Sequence, residues 1–169
     1  MIGKIVRAVL LAALMGILQT NALRFVSPAA VIPDLALIIL VFFAHRNGSF
    51  PGQIAGFFTG LLLDFLSLAP LGFFAFIYTV IGFVFGATKD RIVLDGVVLP
   101  FVALFLATLV KILTAGALAG VFSIETASIG LLSSRAWIEI GLTALLAPLL
   151  FALMSMMGIF HTQQRGGFR

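Results

Sequence analysis

The sequence predicts an all-α integral membrane protein, a single bundle of about six transmembrane helices. Three observations carry this. The chain has 169 residues, of which 62% are hydrophobic and only 9% charged, whereas a soluble domain carries about 25% charged residues. Its mean hydropathy is +1.26. Its apolar residues fall into six runs separated by short stretches rich in charge, proline or glycine, the pattern of helices that cross a bilayer. The expected organisation is one six-helix transmembrane domain over residues 1–160 and a polar cytoplasmic tail over 161–169.

The first run spans about residues 8–23 and follows Lys4 and Arg7. A basic start and an apolar run also describe a signal peptide. The Ser27-Pro28-Ala29-Ala30 stretch is a poor cleavage site and five more runs follow, so the better reading is an uncleaved first span. Ala8, Ala12 and Gly16 give it a small-residue face. The second run, residues 35–44, is short, since about 20 residues cross a bilayer. Pro33-Asp34 opens it: proline is tolerated in a first turn, and a carboxylate there meets the positive end of the helix dipole. A polar turn, His45-Arg46-Asn47-Gly48, separates it from the third run, about residues 50–66.

The fourth run spans about residues 72–88 and ends in Lys89-Asp90-Arg91. The fifth, about residues 96–122, is long enough to cross with tilt. A connector of small and polar residues, 123–134, leads to the sixth, which starts near Trp137 at the interface and ends near Phe160, with Pro148 as an expected kink. Six spans put both termini on one side. Lys4, Arg7, Arg46, Lys89, Arg91, Arg165 and Arg169 share that side, and only Arg24 and Arg135 fall on the other. This asymmetry predicts cytoplasmic termini. The outer loops are too short to hold a soluble domain, so work at the cell surface falls to a partner.

Gly52, Gly56 and Gly60 recur at four-residue spacing, which places them on one helix face, with Asp64 continuing the line. Such a stripe lets another helix approach backbone to backbone. The approaching helix is either another part of this subunit or a partner. Gly82 with Gly86, and Gly116 with Gly120, pose the same choice more weakly, because glycine is common in membrane helices.

Three ionisable groups, Asp34, Asp64 and Lys111, lie inside or at the edge of apolar runs. A charge at mid-bilayer costs about 2.5–3.5 kcal/mol on insertion scales, so such groups face protein or water and find partners. Asp64 meets the wrong end of its own helix dipole. Either it caps the following turn through backbone N–H groups, or it joins Lys111 and Asp34 in a cross-helix polar cluster. The second possibility predicts that Asp64→Ala and Lys111→Ala each lower stability, with the double substitution costing less than the sum. Glu125 and Glu139 fall in or near an outer loop beside Arg135 and Trp137, where surface pairing is expected.

Composition excludes several function classes. There is no cysteine, hence no disulfide, thiolate nucleophile or thiolate metal site,. His45 and His161 sit in turn or tail positions, so neither a histidine metal site nor a cofactor is expected. The sequence pI of about 10.4 does not signal nucleic acid, because the basic residues flank apolar runs instead of clustering on a soluble face. No paired carboxylate with histidine, GxSxG, HExxH or P-loop occurs. The 18 phenylalanines are ordinary lipid-facing residues.

The segment from Pro33 to Gly72 resembles the bacterial rod-shape-determining protein MreD family. The resemblance lies in Pro33-Asp34-Leu35 heading an apolar run, in the glycine-rich helix ending Leu63-Asp64-Phe65-Leu66-Ser67, and in the following Pro70-Leu71-Gly72. Chain length and hydropathy extend it over most of the chain. It implies a non-enzymatic inner-membrane scaffold of the cell-wall elongation machinery that holds MreC and helps couple it to RodA and a class B transpeptidase, with the filament MreB beneath. It also implies a fold like that of the substrate-binding subunits of vitamin transporters. The alternative from another class is therefore such a transporter subunit, which should offer a polar, outward-opening pocket; the outer loops are poor in hydrogen-bonding side chains, and only Ala8–Ala12 hints at a transporter-type docking face. An intramembrane hydrolase lacks its residues.

Overall fold

The computed structural model describes residues 2–21, 31–67, 69–91, 96–122 and 134–156. Among these residues there are six helices and no strand: α1 (Ile2–Asn21), α2 (Leu35–Asn47), α3 (Ser49–Leu66), α4 (Phe73–Gly86), α5 (Val98–Phe122) and α6 (Ser134–Met156). Three are long and apolar enough to cross a membrane, over Ile2–Gln19, Val98–Val121 and Ala136–Met156; α2 and α4 are shorter apolar helices. The expected six-helix bundle is present, and α6 runs on through Pro148 as one element. Residues 123–133 of the connector with Glu125, the whole tail 161–169, and Arg24 lie outside the described residues.

The centre of the bundle is its shortest helix. α2 has 13 residues, about 20 Å at 1.5 Å per residue, against a hydrocarbon core of about 30 Å. Every residue from Ala36 to Ala44 is buried. A helix that is apolar all round belongs inside a protein, and α2 touches all five other helices. They form an arc around it in the order α1, α3, α4, α5, α6, each packed on the next; the two ends of the arc, α1 and α6, make no mutual contact among the described residues. The short second run is thus a core helix walled off from lipid, and its length need not match the bilayer.

The polar turn is smaller than the sequence suggests. His45, Arg46 and Asn47 complete the last turn of α2, where cations meet the negative end of the dipole. Gly48 alone joins α2 to α3, with φ 101° and ψ 176°, a conformation open to glycine and to little else. His45 Nδ1 lies 2.8 Å from Thr88 Oγ1, and that hydroxyl donates to the Phe85 carbonyl. With its only proton so used, Thr88 accepts from Nδ1–H, which ties this end of α2 to the end of α4. By the alternation of helix directions, Lys4, Arg7, Arg46, Lys89 and Arg91 gather at this end of the bundle, and Asp34, Asp64 and Glu139 lie toward the other.

α3 and α4 form the most intimate pair. A Cβ added at Gly52, Gly56 or Gly60 would collide with the backbone of Gly82, Tyr78 or Phe74, respectively. Four residues forward along α3 is four residues back along α4, so the antiparallel register holds over the whole seam. Gly82 reciprocates against Gly52, and Gly86 lies against Gly48 and Ser49. Both stripes therefore serve one interface inside the subunit, not a partner helix. Gly116 and Gly120 differ: both are exposed, and nothing lies within 4 Å of where their Cβ atoms would be. Phe57, Phe58, Phe65, Phe76 and Phe83 cover the outer faces of this hairpin.

Candidate functional site

Ending a helix inside an apolar bundle leaves its first N–H groups without water. The N-terminus of α2 solves this with side chains from its neighbours. Asp34 is the N-cap, its Oδ1 accepting from Leu37 N–H at 2.9 Å. The Asp34 N–H donates to Thr143 Oγ1 of α6 at 3.1 Å, and the Leu35 N–H to Gln19 Oε1 of α1 at 2.9 Å. Expected in the first turn of this helix, Asp34 stands just before it, as the N-cap, where its carboxylate still meets the positive end of the dipole,; that is half of what this carboxylate does.

The other half is an ion-paired knot. Asp34 Oδ2 accepts from Tyr78 Oη of α4 at 2.7 Å and from Lys111 Nζ of α5 at 2.6 Å. The same ammonium donates to Glu139 Oε1 of α6 at 2.7 Å. Asp34, Tyr78 and Thr143 are almost wholly buried, while the side chains of Lys111 and Glu139 are 16% and 26% exposed, so the knot reaches the surface only along the α5–α6 edge. Lys111 is the fourteenth residue of α5, about 20 Å from its start, level with the first turn of α2. A lysine in mid-helix thus meets the carboxylate because α2 is short.

Asp64 is not part of it. Its Oδ1 accepts from Phe74 N–H at 2.7 Å, and its Oδ2 from Gly72 and Ala75 N–H at 2.9 and 3.2 Å. Of the two readings of Asp64, the local cap holds, and the cross-helix cluster forms without it, as Lys111 with Asp34 and Glu139. The reason is electrostatic: the residue sits at the unfavourable end of α3 but at the N-terminus of α4, where three N–H groups and the positive end of a dipole receive it. It closes the glycine-seamed hairpin. Glu139 is corrected as well: it is the sixth residue of α6, inside the bundle edge and paired with Lys111, not a surface partner of a loop.

Sequence reasoning missed Tyr78, Thr143 and Gln19, and gave Glu139 the wrong setting. Signals existed for two of them. Tyr78 is the only tyrosine among many phenylalanines, and a buried hydroxyl needs a partner. Glu139 is a carboxylate within an apolar span, open to the argument applied to Lys111, and Thr143 lies one turn further on the same face. Among the described residues, no buried side-chain nitrogen or oxygen lacks a hydrogen-bond partner, and no cluster of three or more His, Asp or Glu could hold a metal.

The family scan matches residues 1–157 to rod shape-determining protein MreD. That span takes in all six helices. The chain belongs to the MreD family. With three helices long and apolar enough to cross a bilayer, this MreD-family chain is a membrane protein with a role in rod-shape determination. No curated protein and no solved structure matches it, so the expected likeness to vitamin-transporter subunits has no support. In an MreD-family context, the conspicuous carboxylates of the apolar core read as joints. Asp34 holds three helices, α4, α5 and α6, to the start of α2, and Asp64 locks α3 to α4.

Proposed function

We propose that the chain is a non-enzymatic scaffold of the bacterial inner membrane, holding MreC and linking it to RodA and a class B transpeptidase of the cell-wall elongation machinery, with MreB beneath. The observation that carries this reading is how the buried carboxylates are used. Both oxygens of Asp34 and both of Asp64 accept bonds from within the chain, which suits rigid joints and leaves neither poised to take a proton from a substrate. The family match supplies the biological setting. Affinity capture of the full chain from native membranes, read by mass spectrometry, should recover MreC as the dominant partner. Recovery of a transporter ATPase in its place would overturn the proposal.

The same reading places both termini, with the polar tail 161–169, in the cytoplasm. Its support is the gathering of Lys4, Arg7, Arg46, Lys89 and Arg91 at one end of the bundle, since cytoplasmic loops carry the excess of Lys and Arg. A reporter fused after Arg169 should be active in the cytoplasmic form. Activity only from a reporter that requires export would refute it.

A further inference from the structure

The bundle meets its surroundings with walls of unequal height. α1, α5 and α6 have 20, 25 and 23 residues, about 30, 37 and 34 Å at 1.5 Å per residue. The α3–α4 hairpin is lower. α3 has 18 residues and α4 has 14, about 27 and 21 Å, against a hydrocarbon core of about 30 Å. Unlike α2, this hairpin faces outward: Phe57, Phe58, Phe65, Phe76 and Phe83 are all exposed. Its foot is fixed where Gly86 lies against Gly48 and Ser49, beside Arg46 and Lys89 at the basic end of the bundle. Its head is the turn 67–72, which therefore stands about 21–27 Å above the foot.

That turn needs water. Its N–H groups are met from inside: the Asp64 carboxylate receives Gly72 and the first turn of α4, and Ser67 Oγ receives Ala69 N–H at 3.2 Å. Its carbonyls are not served in this way. The last carbonyls of a helix have no partner within it, and Ser67 is the only side-chain donor between Phe65 and Gly72. Its one proton goes to the Asp64 carbonyl at 3.3 Å. Leu71 is 68% exposed, so the turn is open to its surroundings. Irregular backbone open to lipid does not occur within hydrocarbon, yet under an unperturbed layer this turn would lie about 3–9 Å below the surface. The geometry points to a bilayer that the chain thins at the α3–α4 hairpin. In the leaflet opposite the basic end, headgroups and water dip to the turn, and lipids with shorter acyl chains collect along Phe76 and Phe83. A short apolar wall is accommodated by such thinning, whereas the tall walls of α5 and α6 absorb their excess by tilting. Tilt of the hairpin would only lower its head and deepen the dip.

The chain has no cysteine and a single tryptophan, so single probes report without interference. The purified full chain is reconstituted in phosphatidylcholine bilayers of graded acyl length. Leu71→Cys should react with a water-soluble maleimide about tenfold faster than Phe58→Cys, which sits about 14 Å above the foot. It should keep that rate as the acyl chains lengthen, because the dip follows the protein. For lipid preference, a tryptophan is placed on α4 (Phe76→Trp) or on α5 (Leu113→Trp) in a Trp137→Phe background, and short and long brominated lipids compete to quench it. The short lipid should be favoured about twofold on α4 and not on α5, in line with the difference in wall height. Val84→Trp, also exposed on α4, takes over if Phe76→Trp fails to fold. A Leu71→Cys as slow as Phe58→Cys would overturn the inference by placing the turn in hydrocarbon. So would a rate that collapses in long-chain bilayers, or the same chain-length preference on α4 and α5.

Discussion

Gly56→Leu should leave no folded protein to recover from membranes. A Cβ at Gly56 would fall onto the Tyr78 carbonyl and press on the Thr79 nitrogen. These are backbone atoms in mid-helix, so no rotamer change can make room. α4 would have to move away bodily, and the register that brings Gly52 to Gly82 and Gly60 to Phe74 would open with it. Overpacking a core with movable side chains costs typically 1–3 kcal/mol; separating two backbones along a whole seam should exceed the upper figure. The consequence does not stop at the hairpin, because Tyr78 also supplies the hydroxyl bound to Asp34. The matched control is Gly116→Leu. It makes the same change in the same kind of motif, but at an exposed position with nothing within 4 Å, and its cost should lie within about 0.5 kcal/mol. Fluorescence-detected gel filtration of the two variants after mild solubilisation separates them. Equal recovery of a sharp peak from both would mean that the seam tolerates separation.

The contrast between those glycines shows where sequence reading reached its limit. Spacing alone placed Gly52, Gly56 and Gly60 on one face, because helix periodicity is a local property. It could not say which surface met that face, since that depends on how the chain folds back. The answer was in part written nearby: Gly82 and Gly86 lie in the next apolar run, and consecutive helices joined by a short loop pack antiparallel. Gly116 and Gly120 have the same spelling and no such neighbour. The number of helices was legible for a similar reason, as each apolar run is a local signal. The role of α2 was less so. Its shortness was plain, but a short apolar run reads equally as a thinned span or a buried core helix, and only its burial on all sides decides.

Asp64 and Lys111 fared differently from each other. Both were legible as groups needing partners, by the cost of charge in hydrocarbon. Which partner each found depended on depth. Asp64 had donors eight to eleven residues away at the start of α4, and local donors win when they are satisfied without fixing a distant helix. Lys111, at the middle of a long helix, had none nearby. Its level matches the first turn of α2 only because α2 is so short, a relation between helix lengths that no single window of sequence displays.

Lys111→Met should therefore be the most destabilising of the single substitutions in the knot, and its energy should couple to Asp34 and not to Asp64. Removing the ammonium leaves the Asp34 carboxylate in the core with only the Tyr78 hydroxyl and the Leu37 backbone N–H donating to it among the described residues, and leaves Glu139 at the bundle edge without this ion pair. Breaking a buried pair by deleting one member typically costs about 3–5 kcal/mol, most of it the penalty on the charge left behind. Tyr78→Phe deletes one hydrogen bond and no charge; such bonds in membrane proteins average about 0.6 kcal/mol, so the two substitutions should differ severalfold. Asp34→Asn in the Lys111→Met background should recover part of the loss, because the stranded charge is then gone too. Asp64→Ala with Lys111→Met should instead be additive within about 0.5 kcal/mol, since the two residues share no bond. Reversible unfolding of the purified variants in mixed micelles measures all of these. An additive Asp34–Lys111 cycle would mean that the pair contributes no coupling in the bilayer, and a strongly coupled Asp64–Lys111 cycle would mean that the hairpin cap and the knot act as one unit.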